Sequence, residues 1–193
     1  MTAIAILLLA AGASSRMQGR DKLMEDAGGQ PLLALMCRRA ALTGLPVYVT
    51  LPGTTHPRAT ATGAAALVPV PDAAEGMAAS IRRGVMALPA ETEAVMILPA
   101  DMPDVEAQDM LHLAAHYHGK EGPILRATAE DGTPGHPVIF PSRCFEALKT
   151  LSGDQGARSI LRSETVQAVA LPGRRALTDL DTPADWAAWR SRR

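Results

Sequence analysis

Apolar positions run without a break over residues 4–9 and again over residues 94–98. A strand with one face in water alternates apolar and polar residues. Unbroken runs of this length therefore predict strands covered on both faces, as in a parallel sheet between two helix layers. Over residues 31–43 the period changes. Leu32, Leu35, Met36 and Ala40 recur at helical spacing, opened by Pro31 and stopped by Gly44. Residues 47–51 read as a strand, and residues 67–70 as a short one that Pro69 confines to a sheet edge or a strand end. Helices are predicted over 77–88 and 105–118. Beyond Gly119, where Gly and Pro are denser, strands are predicted at 123–127, 137–140 and 166–171, with helices near 143–151, 155–162 and 183–190. Strand and helix alternate, which predicts an α/β fold with a mostly parallel sheet, helices on both faces and a ligand crevice at the strands' carboxyl ends.

Candidate chemistry clusters at those ends. Past Leu9, the residues Ala10, Ala11, Gly12, Ala13, Ser14 and Ser15 offer little bulk. Their N–H groups can close around phosphate oxygens, with the hydroxyls of Ser14 and Ser15 added. Arg16 supplies a planar fork and Lys22 a mobile point charge. Together they would neutralise a triphosphate, although the same order of strand, loop and cation fits an ordinary strand-to-helix turn. Neither Gly12 nor Gly19 is followed by the Walker pattern, and the three-glycine dinucleotide fingerprint is absent.

Asp101 lies just past the second apolar run. A magnesium ion takes one or two carboxylates with phosphate oxygens and waters, and Asp181, in the segment Asp179-Leu180-Asp181-Thr182-Pro183, is the candidate partner. The other reading makes Asp181 the cap of the helix that Pro183 opens. A metal between Asp101 and Asp181 beside a triphosphate cradle points to attack on phosphorus. A phosphate monoester, with a second pKa of about 6, is largely dianionic at pH 7 and needs no general base. That agrees with the lack of a Ser-His-Asp signature, and leaves catalysis to positioning and charge neutralisation. His112, His116 and His118 share a predicted helix but lack a completing Glu or Cys, and Trp186 and Trp189 read as packing anchors.

Composition narrows the partners. The 193 residues, 47% hydrophobic, suit one domain, with a nucleotide-binding half to about residue 118 and an acceptor-binding half from about 119. A formal charge of -1 and 3% aromatic content provide neither a basic surface nor stacking platforms, so a nucleic-acid polymer is excluded as the expected partner and mononucleotides remain. The first apolar run is too short to span a bilayer and has no basic leader, so no membrane is expected and the cytoplasm is the expected compartment. Cys37 and Cys144 stand apart in sequence and read as packing thiols.

Several segments, taken in order, carry a resemblance over nearly the whole chain. They are Leu9-Ala10-Ala11-Gly12 with Ser14, Arg16-Met17 and Lys22; residues 76–84 with Ser80; Leu98-Pro99-Ala100-Asp101-Met102-Pro103; Gly135-His136-Pro137; and residues 179–183. The chain resembles the nucleotidyltransferases that act on molybdopterin cofactors, the cytidylyltransferase branch most of all. The resemblance implies a Rossmann-like three-layer α/β/α fold, CTP as co-substrate with Mg²⁺ or Mn²⁺, and transfer of CMP to the phosphate of molybdopterin cofactor with release of pyrophosphate. It assigns Leu9, Ala10, Ala11, Gly12, Ser14, Ser15, Arg16, Lys22, Gly76 and Ser80 to the nucleotide and Asp101 and Asp181 to the metal. Arg16, Lys22 and Asp101 would be catalytic, and His136, Pro137, Asp154 and Arg158 would meet the acceptor. A molybdoenzyme or its chaperone would receive the product. There are departures. One extra residue stands between Met17 and Lys22, and Asp21-Lys22 is similar to the guanylyltransferase branch. Ala11, where that branch has a second glycine, favours CTP over GTP. The alternatives are a guanylyltransferase, a transferase for another phosphorylated acceptor, and a non-catalytic cofactor-binding chaperone.

Overall fold

The structure is a computed structural model that describes residues 4–153 and 156–192. Its first half contains β1 (Ile4–Leu9), α1 (Leu32–Ala41), β2 (Val47–Leu51), β3 (Ala66–Pro69), α2 (Met77–Met86), β4 (Ala94–Pro99) and α3 (Ala107–Ala114). The second half contains β5 (Ile124–Thr128), β6 (Pro134–Pro141), α4 (Phe145–Lys149), α5 (Arg158–Ser163), β7 (Val166–Ala170) and α6 (Pro183–Arg190).

β1 shows why its sequence has no alternation. Ile4, Ile6 and Leu8 enter one core with Leu33 and Met36 of α1, Met110 and Leu113 of α3 and both tryptophans of α6. Leu7 enters the other, with Ala78, Ile81 and Val85 of α2, Leu148 of α4 and Ile160 of α5. The result is the three-layer α/β/α arrangement. The strand order is β3-β2-β1-β4-β6-β5-β7. All neighbours are parallel except at β6, which runs against β4 and β5. Pro69 sits on β3, an edge strand, where its missing donor costs no ladder bond.

The chain leaves β1 toward β2 and β3 and returns to β4 on the opposite flank of β1, so a crevice opens beyond the carboxyl ends of β1 and β4. Leu9 pairs with Pro99, and Ala100 N–H donates to the Leu9 carbonyl at 3.1 Å. The glycine-poor loop and Asp101 are thereby set side by side.

Helix limits differ from the predicted ones. The helix expected over 105–118 is only Ala107–Ala114, because Glu106 and Asp109 form a capping box that fixes its start. The one expected near 143–151 divides into a 3-10 turn, Ser142–Cys144, and the short α4. Among the described residues no helix is long and apolar enough to cross a membrane.

Candidate active site

The loop after β1 is built around a residue with no sequence motif, Arg58, which lies in a 3-10 turn (Pro57–Ala61) and is 3% exposed. Its Nη1 donates to the carbonyls of Ala10 (2.5 Å) and Gly12 (2.8 Å), and its Nη2 to Ser14 Oγ (3.1 Å). A bidentate pair with Asp21, at 2.7 and 2.8 Å, completes the set. With these carbonyls drawn to one side, the N–H groups of Ala11, Gly12, Ala13 and Ser14 have no protein acceptor among the described residues. Such a run of free amides is an anion-binding hollow. Ser14 is held at φ 53°, a left-handed conformation that costs a non-glycine residue about 1–2 kcal/mol.

Two predicted members of the cradle have other partners. Ala10 is fully buried, and its N–H donates to Thr50 O (3.2 Å) and Thr50 Oγ1 (3.1 Å), so it anchors the loop to β2. The Ser14 hydroxyl accepts from Arg58 and from Lys22 N–H (3.3 Å), and Ser14 borders a neighbouring cleft with Ser15, Arg20 and His56. Ser15 does border the crevice.

Between Met17 and Lys22 two successive left-handed residues, Gln18 (φ 54°) and Gly19 (φ 85°), fold the chain back. Lys22 then reaches between the two acids. Its Nζ contacts Asp101 Oδ2 and lies 2.7 Å from Asp181 Oδ1. Arg16 pairs with Asp181 Oδ2 at 2.7 Å. Asp181 is not the cap of α6. Thr182 holds that position, its Oγ1 accepting from Asp185 N–H (3.2 Å) while Asp185 Oδ2 accepts from Thr182 N–H (2.8 Å). Leu180 N–H donates to the Asp101 carbonyl at 3.0 Å, which docks the 179–181 segment against β4's end.

Electrostatics at this junction follow from the geometry. Burial raises the Asp181 carboxyl, but the hydrogen bond and charge of Lys22, with Arg16, outweigh it and hold Asp181 below the usual carboxylate range. Asp179 shifts the other way, through burial and then the charges of Asp181 and Asp101. For Lys22, burial is opposed by Asp101 and then Asp181, and the ammonium ends above its ordinary value. Among the described residues no three His, Cys, Asp or Glu side chains form a metal cage. An ion shared with a triphosphate needs fewer protein ligands, and Asp101 Oδ1 is buried without a hydrogen-bond partner. Asp101 and Asp181 fit such an ion, which when bound would neutralise phosphate charge.

Two clefts meet here. The first, about 420 Å³, lies between the β1 loop and the start of α2, with Ala11, Gly12 and Ser15 on one wall and Gly76, Met77 and Ser80 on the other. Gly76 adopts φ 102° and ψ -165°, open only to glycine. The second, about 350 Å³, runs past Arg16, Asp179 and Asp181 to Arg126, Gly135 and His136. Lys22, Met77, Pro99 and Asp101 border both. Gly135 is required by packing, because a Cβ there would come within 2.0 Å of the Ala176 carbonyl oxygen. Pro137 is buried within β6 and supports His136. Arg158 is exposed at the start of α5, and Asp154 lies outside the described residues. His112 is exposed, and its ring meets His116 with centroids 5.0 Å apart. Trp186 and Trp189 are buried, as packing anchors should be.

His136 Nδ1 is buried and unpartnered. Burial and the nearby Arg126 outweigh Asp101 and the Ile97 backbone, bringing the imidazole from 6.5 down to about 4. The native protein therefore keeps His136 neutral where the unfolded chain protonates it. Stability should fall as pH drops from about 6.5 toward 4, by up to roughly 2–3 kcal/mol. Urea unfolding across that range should show a shallower fall for His136→Gln; identical slopes in the two proteins would contradict it.

A free-amide loop at the switch point of a parallel sheet, faced by paired acids and two basic side chains, defines an enzyme that handles nucleoside triphosphates. The MobA-like NTP transferase domain matches residues 6–169, and the chain belongs to this family of nucleotidyltransferases. A divalent ion is the family's usual cofactor. The purine catabolism protein PucB of Bacillus subtilis is 29% identical, over 93% of this chain and 92% of that protein. A probable molybdenum cofactor guanylyltransferase of Trichormus variabilis is 26% identical, over 97% and 90%. Among solved structures, Rv0371c of Mycobacterium tuberculosis H37Rv has a TM-score of 0.85 at 24% identity, covering 98% of each chain. A manganese complex of Rv0371c has a TM-score of 0.77 at 23% identity, covering 97% of each.

Proposed function

We propose that the enzyme transfers CMP from CTP to the phosphate of molybdopterin cofactor, releasing pyrophosphate, with Mg²⁺ or Mn²⁺ held by Asp101 and Asp181. The observation that carries this reading is the junction of the two clefts at Lys22 and Asp101, which lets a nucleotide and an acceptor approach each other from opposite sides. The triphosphate would rest on the free amides of the β1 loop, with Arg16 and Lys22 exchanging their carboxylate partners for phosphate oxygens. Base and ribose would lie near Gly76 and Ser80. The acceptor would lie by His136 and Arg158. An acceptor oxygen attacks the α-phosphorus, the α–β phosphoanhydride bond breaks, and the electron pair leaves on pyrophosphate.

The choice of CTP is supported by Ala11, a residue 3% exposed that packs with Val70 and Ala79 at the border of the first cleft. A side chain at this position, where glycine would have none, would leave less room beside the base and favour the smaller pyrimidine. Ala11→Gly should lower the CTP-over-GTP preference by about tenfold, the worth of one buried carbon; an unchanged ratio of kcat/KM values would remove this support. The guanine reading draws on the Trichormus relative's name and on Asp21-Lys22. Pyrophosphate release measured over the four ribonucleoside triphosphates, with and without molybdopterin cofactor, separates the two. Release with CTP and cofactor together is expected; release with GTP alone among the four favours the second reading, and no release with any pair contradicts both.

A further inference from the structure

Most cations bordering the second cleft are already neutralised. Arg16 pairs with Asp181, and Lys22 with Asp101 and Asp181. Arg126, on β5 across the cleft, has no carboxylate partner among the described residues. Its Nε donates to the Gly135 carbonyl at 3.1 Å. That bond fixes the plane of the guanidinium and leaves the terminal nitrogens for a ligand. The neighbouring charge is also positive. Burial, and then Arg158, hold Arg126 below its ordinary value, with no acid acting against them. A partly desolvated arginine beside a second one, with no counter-charge, is destabilised until an anion arrives.

We propose that Arg126 is the residue that binds the acceptor's phosphate, taking a dianionic phosphate monoester on its terminal N–H edge with Arg158 adding charge from α5. The proposal rests on the nucleotidyl-transfer reading above. The triphosphate has its own donors in the β1 loop, on the other side of Asp101. An acceptor phosphate, by contrast, must come close to Asp101, Asp179 and Asp181, all of which lie in or beside the second cleft and repel it. Arg126 offsets that repulsion on the opposite wall. In the transfer step the phosphate oxygen forms the new P–O bond while pyrophosphate takes the electron pair of the broken one. The arginine stays protonated throughout, and because the monoester enters as a dianion no proton has to move.

The test uses Arg126→Gln and Arg126→Lys. At saturating nucleotide, Arg126→Gln should raise KM for the molybdopterin cofactor about ten- to hundredfold, the worth of a charge-assisted phosphate contact. The Kd for CTP should stay as in wild type, and Arg126→Lys, which keeps the charge but not the fork, should recover part of the loss. An independent arm needs no turnover. With the protein saturated by α,β-methylene-CTP, binding of phenyl phosphate is measured by calorimetry, and Arg126→Gln should weaken it at least tenfold by the same contact. An unchanged acceptor KM overturns the proposal, as does an equal loss of CTP and phenyl phosphate affinity, which would make Arg126 a structural residue. If molybdopterin cofactor is not a substrate but phenyl phosphate binding still depends on Arg126, the function reading fails and this one stands. If turnover occurs and Arg126→Gln leaves acceptor KM unchanged, the reverse holds.

Discussion

Arg58→Met is expected to destabilise the fold by about 3–5 kcal/mol and to abolish measurable CTP binding. The side chain is buried, and its five hydrogen bonds tie Ala10, Gly12, Ser14 and Asp21 into one piece. A methionine fills much of the volume but leaves two carbonyls and the Asp21 carboxylate without their partner. Burial raises that carboxylate, and Arg58 does most to hold it below its ordinary range by hydrogen bonding and charge, so removing Arg58 leaves the cost of burial opposed only by the Leu23 N–H and the charge of His56. The loop would then relax from the left-handed conformation at Ser14, and the free amides that define the hollow would no longer converge. Arg58→Lys should fail nearly as badly, since one ammonium cannot span acceptors placed around a planar fork. Urea unfolding and calorimetric CTP binding check both variants. Near-native stability with intact CTP affinity in Arg58→Met would show that the loop does not depend on this residue.

Asp101→Asn is the second large effect. A fall in kcat of about a thousandfold is expected, with stability within about 1 kcal/mol of wild type. Asparagine keeps the size of the side chain, and the backbone carbonyl that accepts Leu180 N–H is untouched. What is lost is a charge that both Lys22 and a nucleotide-bound ion would use. Binding of Mn²⁺ with CTP, followed by electron paramagnetic resonance, should weaken in parallel. Wild-type turnover, or unchanged Mn²⁺ binding, would remove Asp101 from the metal site. Asp181→Asn should be milder in its effect on Lys22, because Asp101 still pairs with the ammonium.

The parts of this site that a sequence discloses are those whose cause is local. β1 and β4 were legible because burial on both faces removes alternation from the residues themselves. Asp101 stood out because it follows such a run. The small residues after Leu9 marked a cradle, yet the division of labour inside it was hidden. The Ala10 N–H and the Ser14 hydroxyl are engaged by Thr50 and Arg58, and those residues lie about 40 positions downstream. Arg58 itself left no trace beyond Pro57 starting a helical turn. The Lys22 contacts span 79 and 159 positions, so they follow from sheet order and not from spacing. Asp181 is ambiguous for a related reason: its place before Pro183 suits a helix cap as well as a metal ligand, and only the capping-box geometry shows that Thr182, not Asp181, is the cap. Helix ends are the least legible feature, because caps and 3-10 turns shift them by two to four residues without changing the apolar pattern.

The central claim is that the α-phosphate of the nucleotide passes to an acceptor phosphate. The most direct measurement follows the label from [α-³²P]CTP incubated with enzyme, Mg²⁺ and molybdopterin cofactor. The label is predicted to appear in a cofactor–CMP product of matching mass, with the released pyrophosphate unlabelled. Label recovered as free CMP, or remaining in CTP, would contradict it.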